Sequence, residues 1–207
     1  MKKNNQNSVG KEVMLWVEAI VSSVIIVALI IAFVGRIVDV SGSSMMPYFS
    51  DGDKVITINA KGNLKYGDVV AIKRKNDTSL IKRIIATEGQ TVNINYETGE
   101  VMVDGTILDE PFLSEPTCND LGMSMPTIVP QGCVFVMGDN RNHSDDSRNP
   151  AIGMINTKNI SGKIVFRIMP FDSFGKISLE DAKEATKDLP KLTIRANNKV
   201  KFTTLFF

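Results

Sequence analysis

A long apolar segment near the amino terminus most constrains what this chain can fold into. Between Met14 and Val34, Glu18 is the one charged residue. As a helix rising about 1.5 Å per residue, this segment spans roughly 30 Å, the thickness of the hydrocarbon core of a bilayer. The alternative is a cleaved signal peptide, but its apolar region would be shorter and would end in small residues, whereas Phe33-Val34-Gly35-Arg36 follows here. We therefore predict a transmembrane anchor over residues 14–35.

The charges beside this segment predict the orientation of the anchor. Residues 1–13 are polar and carry Lys2, Lys3 and Lys11. Positive residues favour the cytoplasmic side of a membrane, so we expect residues 1–13 to be a cytoplasmic amino terminus. The rest of the chain then lies on the extracytoplasmic face of the cell membrane, held there by a single span.

Beyond the anchor the sequence is typical of short β-strands separated by tight turns. Apolar and β-branched runs alternate with Gly- and Asp-containing turns such as Ser50-Asp51-Gly52-Asp53, and little helical periodicity is present. We predict a mainly β protein, in which a single transmembrane helix precedes an all-β domain over residues 36–177. The predicted strands are 55–58, 69–72, 80–85, 91–94, 101–103, 133–137 and 162–168.

Residues 178–207 are less informative and are treated as a carboxy-terminal tail of unknown role. Ser178 is suited to cap a short helix over residues 179–187, which would stop before Pro190. The segment that follows mixes Lys and Arg with isolated apolar residues, a composition that favours a poorly ordered terminus.

The overall composition excludes several classes of function. Twenty-four basic and 23 acidic residues leave a net charge of +1, so no basic excess points to a nucleic-acid partner. One histidine and two cysteines do not suffice for a four-ligand Cys/His zinc site. A Ser-His-Asp triad would depend on His143, which lies in a polar loop with no obvious partner serine. We expect no metal and no cofactor.

Two separated stretches together indicate a serine nucleophile and a lysine base. The run Val40–Pro47 contains Ser41, Ser43 and Ser44, and by composition alone each could be a serine of a linker. The run is, however, bracketed by apolar residues rather than by more Gly and Ser, unlike a low-complexity linker. Lys82 interrupts an apolar strand in which Leu80 and Ile84 share its face. Burial among such neighbours disfavours the ammonium form and lowers the pKa, as a lysine base requires. The alternative is that Lys82 extends its aliphatic stem to reach solvent.

A third stretch, Met137–Arg148, crowds acids, arginines and hydroxyls into a loop after a strand. Alternating Asp, Asn and Ser oxygens would suit Ca²⁺, but the loop lacks a correctly spaced distal Glu, and its own arginines can neutralise the acids. We prefer a structural interpretation in which ion pairs stiffen the loop and present Ser144 to a neighbouring lysine. The predicted pairs are Asp139–Arg141 and Asp146–Arg148.

With these stretches in hand, the sequence resembles the bacterial type I signal peptidases, membrane-bound serine proteases that remove signal peptides from exported proteins. The resemblance covers roughly residues 10–177 and rests on four motifs in the family's order. Its single span and the short segment between Lys82 and Gly138 are similar to the compact form found in Gram-positive bacteria. The four motifs are Gly42-Ser43-Ser44-Met45-Met46-Pro47, Gly67-Asp68-Val69-Val70, Leu80-Ile81-Lys82-Arg83 and Gly138-Asp139-Asn140-Arg141 with Ser144, Asp146, Ser147 and Arg148.

The resemblance implies a role for each matching residue. Ser44 would attack the scissile carbonyl, and Lys82 would act as the general base without a cofactor. Ser144 would orient the lysine, while the acids and arginines of the last motif would support the site. These supporting residues are Asp146, Arg148, Asp139 and Arg141. The oxyanion region would comprise Gly42, Ser43 and Ser44. Because Gly42 offers no hydroxyl, its donors would be main-chain N–H groups or a neighbour such as Ser43.

The resemblance also implies the substrate and the partners. The partners would be signal-peptide-bearing preproteins emerging from the secretion machinery, together with the lipid bilayer. The signal peptide would bind as an added strand, with small side chains before an Ala-x-Ala-like cleavage site. Two rival interpretations are a self-cleaving repressor-type Ser-Lys protease, which would carry a DNA-binding domain instead of a span, and a membrane-tethered β-domain that only binds exported chains.

The cysteines leave an alternative open. Cys118 and Cys133 would both lie outside the cytoplasm, where a disulfide is allowed. Closing a loop of this length contributes about 3 kcal/mol in the entropic model. Neither cysteine belongs to a motif of the family, so two free thiols are an equally acceptable outcome.

Overall fold

The computed structural model describes residues 6–59, 63–73 and 79–177. The chain divides into two compact units, residues 1–36 and residues 37–207. The helix expected after Ser178 and the turn expected at Asn76-Asp77 lie outside the described residues.

The first unit contains one long apolar helix, α1, Gln6–Val34. Its stretch Gly10–Leu29 has a mean hydropathy of 2.1, and none of it is buried within the protein. Large apolar side chains such as Trp16 and Val24 are therefore exposed on all faces of the helix. The helix is long and apolar enough to cross a bilayer, and it begins earlier than the predicted span because the polar residues before Met14 continue the same helix.

The second unit is built from β-strands, as the turn spacing predicts. All seven predicted strands are present; four are one residue longer than expected, two are three residues longer and one has the expected length. The strands are β1 (Gly35–Asp39), β2 (Lys54–Ile58), β3 (Val69–Lys73), β4 (Ser79–Thr87), β5 (Thr91–Asn95), β6 (Glu100–Val103), β7 (Thr106–Ile107), β8 (Thr127–Ile128), β9 (Cys133–Met137), β10 (Ile155–Asn156), β11 (Ile160–Met169) and β12 (Gly175–Lys176). In the part of the chain that the structure describes, three short 3-10 turns accompany them, at Arg141–His143, Thr157–Asn159 and Phe171–Ser173.

Within the described residues the strands form two sheets. The larger sheet has the order β1-β2-β11-β3-β4-β9-β10, with β12 paired to β11, and the smaller sheet has the order β7-β6-β5-β8. In the smaller sheet, β5 and β6 form the predicted hairpin around Tyr96–Gly99. The mainly β fold with one amino-terminal helix is thus confirmed. The strands that were not predicted from the sequence include four two-residue strands and β1. The pairing of these strands depends on distant partners and leaves little local pattern.

The position of β4 in the larger sheet determines where the site lies. It runs antiparallel to β3 on one side, where Lys82 pairs with Val70, and to β9 on the other, where Arg83 pairs with Met137. Because β9 ends at Met137, the loop that follows starts beside Lys82. This register brings two motifs together that are separated by more than fifty positions in the sequence.

Candidate active site

A compact turn between β1 and β2 carries Ser44. The side chains of Met45, Tyr48 and Phe49 are almost fully buried, in a cluster that also contains Ile81 of β4. Each buried side chain of this size contributes about 1.5–3 kcal/mol relative to solvent exposure, so the turn is held firmly over the sheet. Ser44 itself remains partly exposed, as a residue that attacks an incoming substrate must be.

The expected oxyanion region occupies the same turn. Gly42 has a φ of +84°, a conformation that glycine adopts easily and other residues rarely do. Its N–H donates to Asp51 Oδ1 over 2.7 Å, which fixes the entry into the turn. The Ser43 carbonyl accepts the N–H of Met46 over 3.1 Å and closes the turn around Ser44.

The structure brings Ser44 and Lys82 into direct contact. Lys82 Nζ lies 2.6 Å from Ser44 Oγ, although 38 residues separate them in the chain. Lys82 is only 2% exposed, so the alternative in which its ammonium group reaches solvent is wrong. Its neighbours on the same face of β4, Leu80 and Ile84, lie in an apolar cluster that includes Val70.

Burial lowers the pKa of Lys82 below its ordinary value of 10.5. The charged form loses hydration when the side chain is removed from water, and this effect outweighs the nearby carboxylates of Asp146, Asp145 and Asp139, which act in the opposite direction. The neutral amine that accepts a proton is therefore more populated at a given pH than it is for a lysine in water.

Asp146 anchors the loop that follows β9. Its carboxylate accepts hydrogen bonds from the Gly138 N–H at 3.0 Å and from Ser144 Oγ at 2.8 Å. It also accepts two from the Arg148 guanidinium, Nε at 2.8 Å and Nη2 at 2.9 Å, so the structure contains this expected pair. Burial favours protonation of Asp146, but these hydrogen bonds and the charge of Arg148 outweigh it and lower the pKa.

The Ser144 side chain lies beside Gly138, next to the turn that carries Ser44. Among the described residues, the Ser144 hydroxyl donates to Asp146, while the hydrogen bond recorded for Lys82 Nζ goes to Ser44. A Cβ atom at Gly138 would collide with both Ser144 Oγ and the Ser44 carbonyl oxygen. The absence of a side chain at Gly138 thus allows the serine turn and the loop to approach closely. The orienting role of Ser144 toward Lys82 stays a prediction.

The expected ion pair between Asp139 and Arg141 is wrong. Asp139 instead accepts two hydrogen bonds from Arg83, Nε to Oδ1 at 2.7 Å and Nη2 to Oδ2 at 2.6 Å, and both side chains are fully buried. The register of β4 against β9 explains this partner, because Arg83 stands opposite Met137, two residues before Asp139. The pair links the strand of Lys82 directly to the loop.

Arg141 pairs with a residue that sequence reasoning did not place in the site. Its guanidinium binds both carboxylate oxygens of Glu110, at 2.9 and 2.5 Å, and the Thr117 hydroxyl at 2.8 Å. The Phe112 ring is buried beside these groups, with its centroid 4.1 Å from the Arg83 guanidinium. The sequence contained a signal for the pairing of Arg83, because a charged residue inside an apolar strand requires a buried acidic partner.

The remaining candidates lie at the edge of the loop. His143 is 73% exposed and its Nδ1 lies 3.2 Å from Asn140 Oδ1 and 3.9 Å from Glu115 Oε1, as fits a loop histidine. The two cysteines are free thiols, so the alternative without a disulfide is the one observed. Asp139 and Asp146 both bind arginines, which removes the charge that a calcium loop would use.

A serine hydroxyl hydrogen-bonded to a buried lysine amine, on a β-rich scaffold, is an arrangement that suits a serine hydrolase. A family described as signal peptidase, peptidase S26, matches residues 13–169. The chain belongs to this family, which confirms the resemblance drawn from the motifs. It is accordingly a serine peptidase that removes signal peptides, and in such a protein the apolar helix α1 indicates a membrane anchor.

Similarity to individual relatives extends over most of the chain. Signal peptidase I of Bacillus licheniformis is 35% identical over 84% of this chain and 95% of its own length. Signal peptidase I T of Bacillus subtilis strain 168 is 38% identical over 76% of this chain and 86% of its own. A solved structure, signal peptidase I from Enterococcus faecalis V583, is 28% identical, has a TM-score of 0.42 and covers 49% of this chain and 96% of its own.

Proposed function

We propose that this peptidase works through a Ser44–Lys82 dyad and forms an acyl-enzyme on Ser44. The observation that supports the dyad most directly is the 2.6 Å approach of Ser44 Oγ to the buried Lys82 Nζ. Proton transfer between two groups needs this separation, and the base must also be uncharged. Burial of Lys82 supplies the second condition by lowering its pKa.

The proposed reaction begins when the neutral Lys82 amine accepts the Ser44 hydroxyl proton. Ser44 Oγ forms a bond to the scissile carbonyl carbon, and the carbonyl oxygen takes the negative charge of a tetrahedral intermediate. When the C–N bond breaks, the Lys82 ammonium donates its proton to the leaving amine. Water then attacks the ester carbon while Lys82 again accepts a proton. The bond from the acyl carbon to Ser44 Oγ breaks, Lys82 returns the proton to Ser44 Oγ, and the product leaves with a free carboxyl group.

The main-chain N–H of Ser44 is proposed to stabilise the developing oxyanion. A single donor of this kind contributes about 3 kcal/mol in the transition state. Asp146 and Arg148 are proposed to support the site because their buried pair fixes Gly138 and Ser144. The buried pair of Asp139 with Arg83 supports it in the same way, since Arg83 directly follows Lys82.

We further propose that the substrates are preproteins with Ala-x-Ala-like cleavage sites, emerging from the secretion machinery. The names of the relatives, signal peptidases of Bacillus and Staphylococcus, support this substrate class. Lys2, Lys3 and Lys11, which precede the apolar segment, support a cytoplasmic amino terminus, with the β-rich unit on the extracytoplasmic face of the cell membrane. Such a location would place the site on the side of the membrane where exported preproteins emerge.

The proposal is tested by incubating the detergent-solubilised full chain with a preprotein that carries an Ala-x-Ala site. We expect cleavage directly after the second alanine, determined by mass spectrometry of both products. The Ser44→Ala variant is expected to lose cleavage by about 10,000-fold or more, as for the loss of other serine nucleophiles. Ser41→Ala, an exposed serine of the same turn, serves as the matched control and retains activity. Cleavage by Ser44→Ala at the wild-type rate would contradict the dyad.

A further inference from the structure

One residue of the loop after β9 holds the serine turn at two adjacent carbonyl groups. The Asn140 side-chain Nδ2 donates to the Ser43 carbonyl at 3.1 Å. The Asn140 main-chain N–H donates to the Ser44 carbonyl at 3.0 Å. The peptide groups on both sides of the Ser44 Cα are therefore tied to the same residue, which lies almost one hundred positions further along the chain.

The Asn140 side chain is diverted from the role that its position would ordinarily give it. Asn140 precedes the 3-10 turn Arg141–His143, where an asparagine side chain commonly accepts a hydrogen bond from the first N–H groups. Here it makes no such capping bond. Its Oδ1 faces His143 Nδ1 at 3.2 Å, which leaves the amide nitrogen directed at Ser43.

Peptide geometry connects this contact with catalysis. The Ser43 carbonyl and the Ser44 N–H belong to one planar trans unit, in which the two bonds point in opposite directions. Holding the carbonyl therefore fixes the direction of the N–H. We propose that Asn140 is a positioning residue that aims the Ser44 N–H at the oxyanion. This inference rests on the proposed Ser44 chemistry and adds to it a residue whose task is to orient the donor.

The composition of the turn increases the importance of this alignment. Gly42 has no side chain that could donate, and its N–H is already engaged by Asp51. The Ser44 N–H is thus the donor on which the proposed mechanism relies. A preorganised donor loses much of its effect when it is displaced, because it must meet the oxyanion at about 2.7–3.1 Å.

The test compares two substitutions of Asn140 in the detergent-solubilised full chain, with a peptide that carries an Ala-x-Ala site. Asn140→Asp keeps the shape but removes the donor, and we expect kcat to fall about 10- to 100-fold with little change in KM. Asn140→Gln keeps an amide that can still donate, so it is expected to recover part of kcat. The melting temperature should stay at the wild-type value in both variants. The pH midpoint of kcat/KM should stay at the wild-type value in Asn140→Gln and should not fall in Asn140→Asp, whose added carboxylate favours the charged form of Lys82.

Asn142 provides a matched control within the same turn. Its Oδ1 accepts the N–H groups of Cys118 and Asn119, and its Nδ2 donates to the Pro116 carbonyl, so it binds a different segment. Asn142→Ala is expected to lower the melting temperature more than it lowers kcat. Wild-type kcat in Asn140→Asp, or parallel losses of kcat and melting temperature in the Asn140 and Asn142 variants, would overturn the proposal. Failure of the wild-type chain to cleave would instead refute the proposed function.

Discussion

Replacement of Lys82 by methionine is expected to abolish cleavage of a signal-peptide substrate, with kcat/KM reduced by about 10,000-fold or more. Methionine fills nearly the same space in the apolar surroundings of β4 but cannot accept a proton from Ser44. Lys82→Arg is expected to fail as well, because a guanidinium stays charged at any working pH. The measurement is the steady-state rate of product release from a peptide with an Ala-x-Ala site.

A surface lysine distinguishes loss of the base from loss of any positive charge. Lys54 pairs with Asp39 at 2.6 Å, but both side chains are well exposed to solvent. Such a pair contributes at most about 1 kcal/mol to stability, so Lys54→Met should keep its rate within about twofold of the wild type. Substantial cleavage by Lys82→Met would mean that another group removes the proton from Ser44.

Replacement of Arg83 by methionine is expected to cause the largest loss of stability. The Asp139 carboxylate is fully buried and would lose the guanidinium that now donates to both of its oxygens. Breaking a buried pair in this way costs about 3–5 kcal/mol in the free energy of unfolding, which corresponds to roughly 10 °C in melting temperature for a chain of this size. Thermal unfolding in a mild detergent, followed by circular dichroism of the β-rich unit, measures this loss.

The double variant Arg83→Met with Asp139→Asn provides the control. Removing both charges eliminates the unpaired carboxylate, so at least half of the lost stability should return. The hydrogen bond from Arg83 to the Gly67 carbonyl and the stacking on Phe112 are still lost, which prevents full recovery. A melting temperature of Arg83→Met within about 2 °C of the wild type would show that this pair contributes little.

Much of the fold was predictable because local patterns specify it. The turn residues and the alternation of apolar side chains located the seven main strands, and the apolar run located α1. The order of the strands in the larger sheet was not predictable, since β11 inserts between β2 and β3 and no local feature of residues 160–169 encodes that pairing. Register between distant strands depends on packing in three dimensions.

The candidate site was predictable in its residues but only partly in its contacts. The apolar surroundings of Lys82 and of the serine run made them candidates, and the motifs shared with the family assigned the nucleophile to Ser44 and the base to Lys82. The predicted partner of Asp139 was wrong. Proximity in sequence suggested Arg141, whereas the register of β4 and β9 places Arg83 beside Asp139. Asn140 makes contacts with a turn almost one hundred residues away, and such contacts require the folded structure.

The pH dependence of kcat/KM tests the central claim, that Lys82 is a buried amine that acts in its neutral form. This profile reports the ionisation of the free enzyme. A neutral base gains population as pH rises through its pKa, and burial lowers that pKa, so activity should rise with a midpoint clearly below 10.5. His143→Gln should leave this midpoint unchanged. A midpoint at or above 10.5, or one that moves when His143 is replaced, would contradict the account.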